Sequence, residues 1–325
     1  MTQRHPRPHA RLVRKAMVLL GVAIGLAGAG SGALAQGTPL LTSSQALQVV
    51  QAYNVANGQA NYSLNTTVQN QSEEGSAAQV DDATYAMLRL QNKLHEGTSA
   101  APAPWIPAVE VPQQTGTPAN FLATVALRHA GKVYTTVFLF QKDAPSRPWR
   151  VLYEPALGID QHLALASGSA AQMATPNSEI VKALAGYWLA YAHRPTLPPS
   201  LAAGPQTTGL VASLEQVTAA AASHGLAELF TVRSGPWPAR TIVVGGGARL
   251  TFGTITLATS LRSSKAGTLL VQDSGRTHFP AFVSPGHYAR VTITNQIEVA
   301  ILTPSGGGAS RVVGIGGGSV AAAGS

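Results

Sequence analysis

The chain has 325 residues, with 22 Lys and Arg against 14 Asp and Glu, and no cysteine. That length accommodates two ordinary domains, and the missing cysteine excludes disulfides, thiol catalysis, thiolate zinc sites and iron–sulfur clusters. Charged residues make up only 11% of the chain, against about 25% in ordinary domains, a scarcity that suits an acidic or dry extracellular setting in which carboxylates are protonated.

Residues 1–35 read as a secretory signal peptide. Arg4, Arg7, Arg11, Arg14 and Lys15 precede an apolar run over 17–30, and Ala33–Leu34–Ala35 offers the small–x–small cleavage pattern. The run falls short of the about 20 apolar residues that a membrane span needs; retention as an uncleaved anchor is the alternative. Without those five basic residues the balance is 17 against 14. The precursor's pI of about 10.0 therefore indicates no nucleic-acid partner. The expectation is a protein secreted to the cell envelope, with no membrane span after cleavage.

The remainder divides into a first α+β domain over 42–157, a linker over 158–176 rich in small and polar residues, and a second α+β domain over 177–325. Thr42–Ser43–Ser44 offers caps for a helix through Ala56, with Ala46, Val49, Val50, Tyr53 and Asn57 on one face and Asn57–Gly58 as its stop. The polar run over 61–79 reads as a loop or a frayed continuation of the helix, and Asp81–Asp82 caps a second helix with the stripe Ala83, Met87, Leu90 and Leu94. Prolines at 102, 104, 107, 112 and 118 mark an extended connector or edge strand. Three strands follow over 121–128, 132–141 and 149–153, the middle one apolar on both faces and so expected to be central.

In the second half, Asn177–Ser178 caps a helix with the stripe Ile180, Val181, Leu184, Trp188 and Tyr191, and Ser213 with Gln216 fits a capping box for another helix. Strands are expected over 240–244, 249–261, 267–272, 278–283, 288–300 and 311–315. Helix, helix, meander thus occurs twice: two tandem domains, each with helices packed on a curved antiparallel sheet.

Taken together, PANF at 118–121, PWRVLYEPAL at 148–157 and the glycine-rich tail from Tyr288 onward resemble a family of uncharacterised secreted proteins and lipoproteins of actinobacteria built on a domain of unknown function. By shape the halves are similar to nuclear-transport-factor-2-like (NTF2-like) or cystatin-like cones, folds that host enzymes and binders alike. The resemblance implies no catalytic residues. The missing lipid-attachment cysteine departs from the lipoprotein members and points to a freely secreted form.

Candidate chemistry is sparse. The glycine runs at 245–247 and 314–318 lack the spacing of a dinucleotide fingerprint and read as turns. His278 and His287, with Asp273 near them in sequence, are where a hydrolase site would be sought, yet no G-x-S-x-G elbow or H-x-H and H-x3-H spacing accompanies them. Glu154 and Glu298 stand in apolar strands; if buried, each needs a partner, and Arg150 and Arg290 are the nearest in sequence. Trp105 in Pro–Trp–Ile–Pro and Trp237 in Pro–Trp–Pro are the ligand-binding candidates, as aromatic platforms. No catalytic, metal or cofactor residues are assigned. The expected function is a non-catalytic binding or structural module at the envelope, with an unknown envelope ligand or protein as partner. The alternatives are a hydrolase around His278 and His287 with a carboxylate, or a subunit of an envelope assembly.

Overall fold

The structure, a computed structural model, describes residues 40–90, 102–158 apart from 115 and 130, 161, 163, 172–263, 267, 269–271 and 283–325. The expected signal peptide, Leu94, Asp273, His278 and most of the expected linker lie outside them. Residues 36–325 group as one compact unit, an α+β arrangement of five α-helices and a large antiparallel sheet.

Helix α1 (Ser43–Ser63) opens on a capping box in which Thr42 accepts from the Gln45 amide and the Gln45 side chain accepts from the Thr42 amide. Asn57–Gly58 does not stop it. The stop comes at Leu64, held at φ 50°, after which Asn65 caps α2 (Thr66–Ser72) by accepting from the amides of Thr67 and Val68. Of the two readings of the polar run, loop or continued helix, the helical one holds, because an Asn cap restarts the helix directly after the break. Helix α3 (Gly75–Leu90) begins six residues before the expected Asp81–Asp82 cap, and both aspartates lie within it. Its buried face is Ser76, Ala77, Val80, Ala83 and Tyr85, while Leu90 is exposed.

The Pro-rich approach carries strand β1 (Ile106–Glu110) at the sheet edge, as expected of proline. It pairs with β2 (Ala119–His129), which pairs with β3 (Lys132–Lys142); β4 (Arg150–Tyr153) and β5 (Ala156–Leu157) follow on the far side of β3. In β3 the residues Val137, Phe138, Leu139 and Phe140 are all buried, so the strand is covered on both faces as its sequence predicts.

After β6 (Gln172–Ala174) comes α4 (Ser178–Leu189), capped by Asn177, with Ile180, Val181, Leu184 and Trp188 buried and Tyr191 just beyond. Helix α5 (Leu210–Ser223) starts earlier than the Ser213–Gln216 box suggests. A π-turn over Pro205–Gly209 feeds it, and Ser213 lies inside, its hydroxyl donating to the Gly209 carbonyl. Strands β7 (Leu226–Ser234), β8 (Arg240–Val243), β9 (Arg249–Ser263), β10 (Leu269–Val271), β11 (Gly286–Tyr288), β12 (Arg290–Thr303) and β13 (Arg311–Gly324) complete the chain. β7 is not predicted by the sequence patterning. The glycine run at 314–318, expected as a turn, is strand within β13; the run at 245–247 is indeed a tight turn between β8 and β9.

The sheet order is β1-β2-β3-β5-β13-β12-β9-β8-β6, with β4 also on β3 and β7 also on β9, so strands of both sequence halves join in one sheet. Three cores show how it folds. One face of β2 and β3 (Phe121, Phe138, Phe140) packs on α1. Their other face (Leu122, Val137, Leu139) packs on Ile242, Leu250, Phe252 and Ala300 of β8, β9 and β12. The opposite face of β9 and β12 (Ile255, Val299, Ile301) packs on α4 and α5. The order of layers is helix, sheet, sheet, helix. Helix α3 lies against β13, β4 and β12, where the two half-sheets meet.

Candidate functional site

At this junction the fold gathers carboxylates. The link between α2 and α3 is extended at Glu73 and forms a bridge with Val151 of β4. Extended backbone turns successive side chains to opposite sides. Glu73 therefore points into the core, 1% exposed, while Glu74 meets the Arg150 guanidinium at 3.7 Å. Asp81, four residues before Tyr85 on α3, faces the same interior. Glu154 occupies the step between β4 and β5, and Glu298 sits in the middle of β12, 0% exposed.

The cluster is knit by neutral groups. The Tyr53 hydroxyl of α1 lies 2.6 Å from Glu73 Oε1 and 3.4 Å from Glu154 Oε2. The Gln69 amide of α2 donates to Glu73 and, at 2.9 Å, to Asp81. The Tyr85 hydroxyl reaches Asn61 Oδ1 at 2.8 Å and Gln69 Oε1 at 3.1 Å. Glu298 Oε2 accepts the Glu154 backbone N–H at 2.6 Å. Neither Arg150 nor Arg290 serves the buried pair as the sequence suggested: Arg150 is taken by Glu74, and Arg290 is exposed at the start of β12. The reason is direct approach of Glu154 to Glu298. Gly316, opposite Glu298 in the β12–β13 register, makes room for it, since a Cβ there would sit 3.1 Å from Pro155 Cα.

Each of these carboxyls is raised above the ordinary carboxylate range. Burial, then the charge of Asp81, raises Glu73, and burial, then Glu73, raises Glu154. Burial and Asp82 push Asp81 up to about 7. Burial brings Glu298 to about 7 even though the Glu154 amide and the Ser76 hydroxyl hold it down. Burial likewise raises Tyr53, with Glu73 adding to it. Glu73 Oε2 and Glu298 Oε1 accept no well-formed hydrogen bond, and the fully buried Ser76 hydroxyl, though near enough to Glu298 to hold it down, makes none either. Among the described residues no group of three or more His, Asp or Glu is placed to hold a metal ion.

Adjoining this cluster is an open groove of about 270 Å3 lined by Gln79, Arg233, Ser234, Thr256, Thr294 and Gln296, with Pro236 and Val320 at its walls. The two features are contiguous. Gln296 and Glu298 alternate on one face of β12, and Ser76 and Gln79 lie one helical turn apart on α3. The loop after β7 closes over the floor at Gly235, where a Cβ would lie 2.2 Å from Thr254 Oγ1 and 2.9 Å from Gln296 Nε2.

The candidates from sequence are dispersed. Trp237 is half-buried beside this groove, its indole N–H donating to Gln79 Oε1 at 3.2 Å while its ring packs on the core shared by the half-sheets. Trp105 is half-buried in another core, 5.9 Å from the Tyr53 ring and 5.4 Å from Phe138. His287 is exposed on β11, and His278 lies outside the described residues. Glu73 and Asp81 are missed by sequence reading, which places one in a loop and the other at a cap. Tyr53, Asn57 and the Asn65 cap are the signal that a polar face runs inward there.

Residues 37–169 match the family model described as a domain of unknown function, DUF8094. The match takes in Tyr53, Glu73, Asp81 and Glu154 and leaves Glu298 and most of the groove beyond it. No curated protein and no solved structure matches the chain.

Proposed function

We propose that the protein is a secreted, non-catalytic binding module of the cell envelope that takes a small, hydroxyl-rich ligand, a saccharide of one or two rings, in the groove beside α3. The observation that carries this reading is a separation of chemistries. Groups able to move protons gather between α1, α3 and the sheet, Glu73 and Glu298 buried and Asp81 and Glu154 half-buried, whereas the open groove offers amides, hydroxyls and a single guanidinium, Arg233. Amides and hydroxyls recognise sugar hydroxyls, Pro236 and Val320 meet the apolar ring face, and the volume lies at the small end of ligand sites. The finer architecture belongs to the same reading: an N-terminal leader removed on export, as in the secreted actinobacterial proteins the sequence resembles, and two tandem halves of NTF2-like or cystatin-like descent fused through one sheet.

The test is a titration of the secreted protein with neutral and uronic-acid mono- and disaccharides, followed by Trp fluorescence. Because the Trp237 indole holds Gln79, a shift in its emission is expected on binding, and Arg233→Ala should weaken the acidic sugars at least tenfold. Saturable turnover of ester, peptide or glycoside substrates would replace this reading with the hydrolase.

A further inference from the structure

We propose that Glu73, Asp81, Glu154 and Glu298 form a proton-operated latch that fastens the helices α1–α3 to the sheet when protonated and loosens them when ionised. Hydrogen-bond donors in the network are fewer than the acceptors they face. One Tyr53 hydroxyl hydrogen faces two acceptors, Glu73 and Glu154. One Tyr85 hydrogen faces two, on Asn61 and Gln69. The two hydrogens of the Gln69 amide face Glu73, Asp81 and, at 3.5 Å, Asn57. With every carboxylate ionised the network has too few donors, and Glu73 and Glu154 must share the one Tyr53 hydrogen. A proton on Glu154 restores a run in which Glu154 donates to Tyr53 and Tyr53 to Glu73. The fully buried Ser76 hydroxyl is one further donor beside Glu298 and leaves the shortage at Glu73, Asp81 and Glu154 in place.

The groups facing the cluster come from every element around it. α1 offers Tyr53, Asn57 and Asn61; α2 offers Gln69; α3 offers Ser76, Asp81, Tyr85 and the nearby charge of Asp82. From the sheet come Glu154, Glu298 and, through Tyr153, the more distant influence of Arg240. Asp82 and Arg240 are the charges on its flanks, Asp82 raising Asp81 and Arg240 lowering Tyr153. The latch spans the sequence: Glu298 comes from the second half, and the other three from the first. The sign follows from the raised positions of these groups. Asp81 moves from 3.8 and Glu298 from 4.5 to about 7 on folding. Their stabilising protonation is complete below about pH 4 and is lost as pH rises through 7.

The experiment is urea unfolding of the full chain at pH 5 and pH 8, with hydrogen exchange of the α1–α3 amides corrected for intrinsic rates. The folding constant is expected to fall at least tenfold at pH 8, with exchange rising more in residues 43–90 than in α4 and α5. Glu154→Gln, which carries its own hydrogens, should raise the midpoint at pH 8 and shrink the difference. Equal midpoints at the two pH values, or a Glu154→Gln loss as large at pH 8 as at pH 5, would overturn the proposal. If that variant does not fold, carbonyl-stretch infrared spectra of the unsubstituted protein decide. A protonated-carboxyl band persisting at pH 6 supports the latch, and its absence at that pH overturns it.

Discussion

A single residue shows how burial and polarity are reconciled here. Trp188 is 0% exposed, and its indole N–H donates to the Gln206 carbonyl at 3.0 Å, so a large apolar body is buried with its polar tip satisfied. Trp188→Ala is expected to lower stability by about 3–5 kcal/mol, and Trp188→Phe by clearly less, as read from chemical unfolding midpoints. Trp188 was legible in the sequence because a helical stripe of apolar residues has one explanation. Glu154 and Glu298 were legible only by half. An acidic residue in an apolar strand announces a buried group that needs something, but not what. Here the answer was another acid's amide and a proton, and the partner sat in the other half of the chain. Glu73 was not legible, since Glu73–Glu74 in a polar run looks like solvated chain until the bridge to Val151 turns one inward and the other toward Arg150.

Elements were legible where periodicity spoke alone and not where glycine did. The meander over β2, β3 and β4 and the helix α4 carry apolar patterns that fix their type; the strand boundaries and the start of α4 fall within two residues of expectation, while α4 ends at Leu189 and a 3-10 turn carries Tyr191. The run Gly314–Gly318 was read as a turn because glycine permits one. Its actual use is close approach. Gly316 abuts the Glu154–Pro155 backbone, and Gly317, at φ 104°, lies where a Cβ would stand 2.0 Å from the Gln296 carbonyl oxygen. Backbone cannot yield as the tip of a side chain can. Gly317→Ala should therefore displace β13 from β12 and lower stability by about 3 kcal/mol. Gly306→Ala in the preceding loop, where nothing lies within 4 Å of the new Cβ, serves as the control and should be near neutral. Thermal denaturation of the two variants side by side is the check.

At the scale of the whole molecule, the sequence suggested two domains and a linker, and the layers put the halves' apolar faces together. Leu122, Val137 and Leu139 from one half and Ile242, Leu250 and Phe252 from the other fill one core. No periodicity within a strand reveals which other strand will cover it, so this contact had no signature in the sequence. Sharing a core of this kind couples the halves. Calorimetry should give one transition, and Leu139→Ala should move all of it downward, by about 2–5 kcal/mol in stability. Two transitions, with only the first shifted, would mean that the halves melt as separate domains.

The strand that joins the halves also sets an order of events. β13 lies along β12 and touches β5 through Leu157↔Gly314 and Ala156↔Ile315. A chain made from its N-terminus presents β5 and Glu154 long before residues 311–324 exist to cover them. Until then it holds two open half-sheets with free edges, and contacts so distant in sequence are slow to find one another. The acid network is thus the last part of the core to be sealed, and the pH of the compartment in which residues 311–324 arrive is the pH at which its carboxyls are first enclosed.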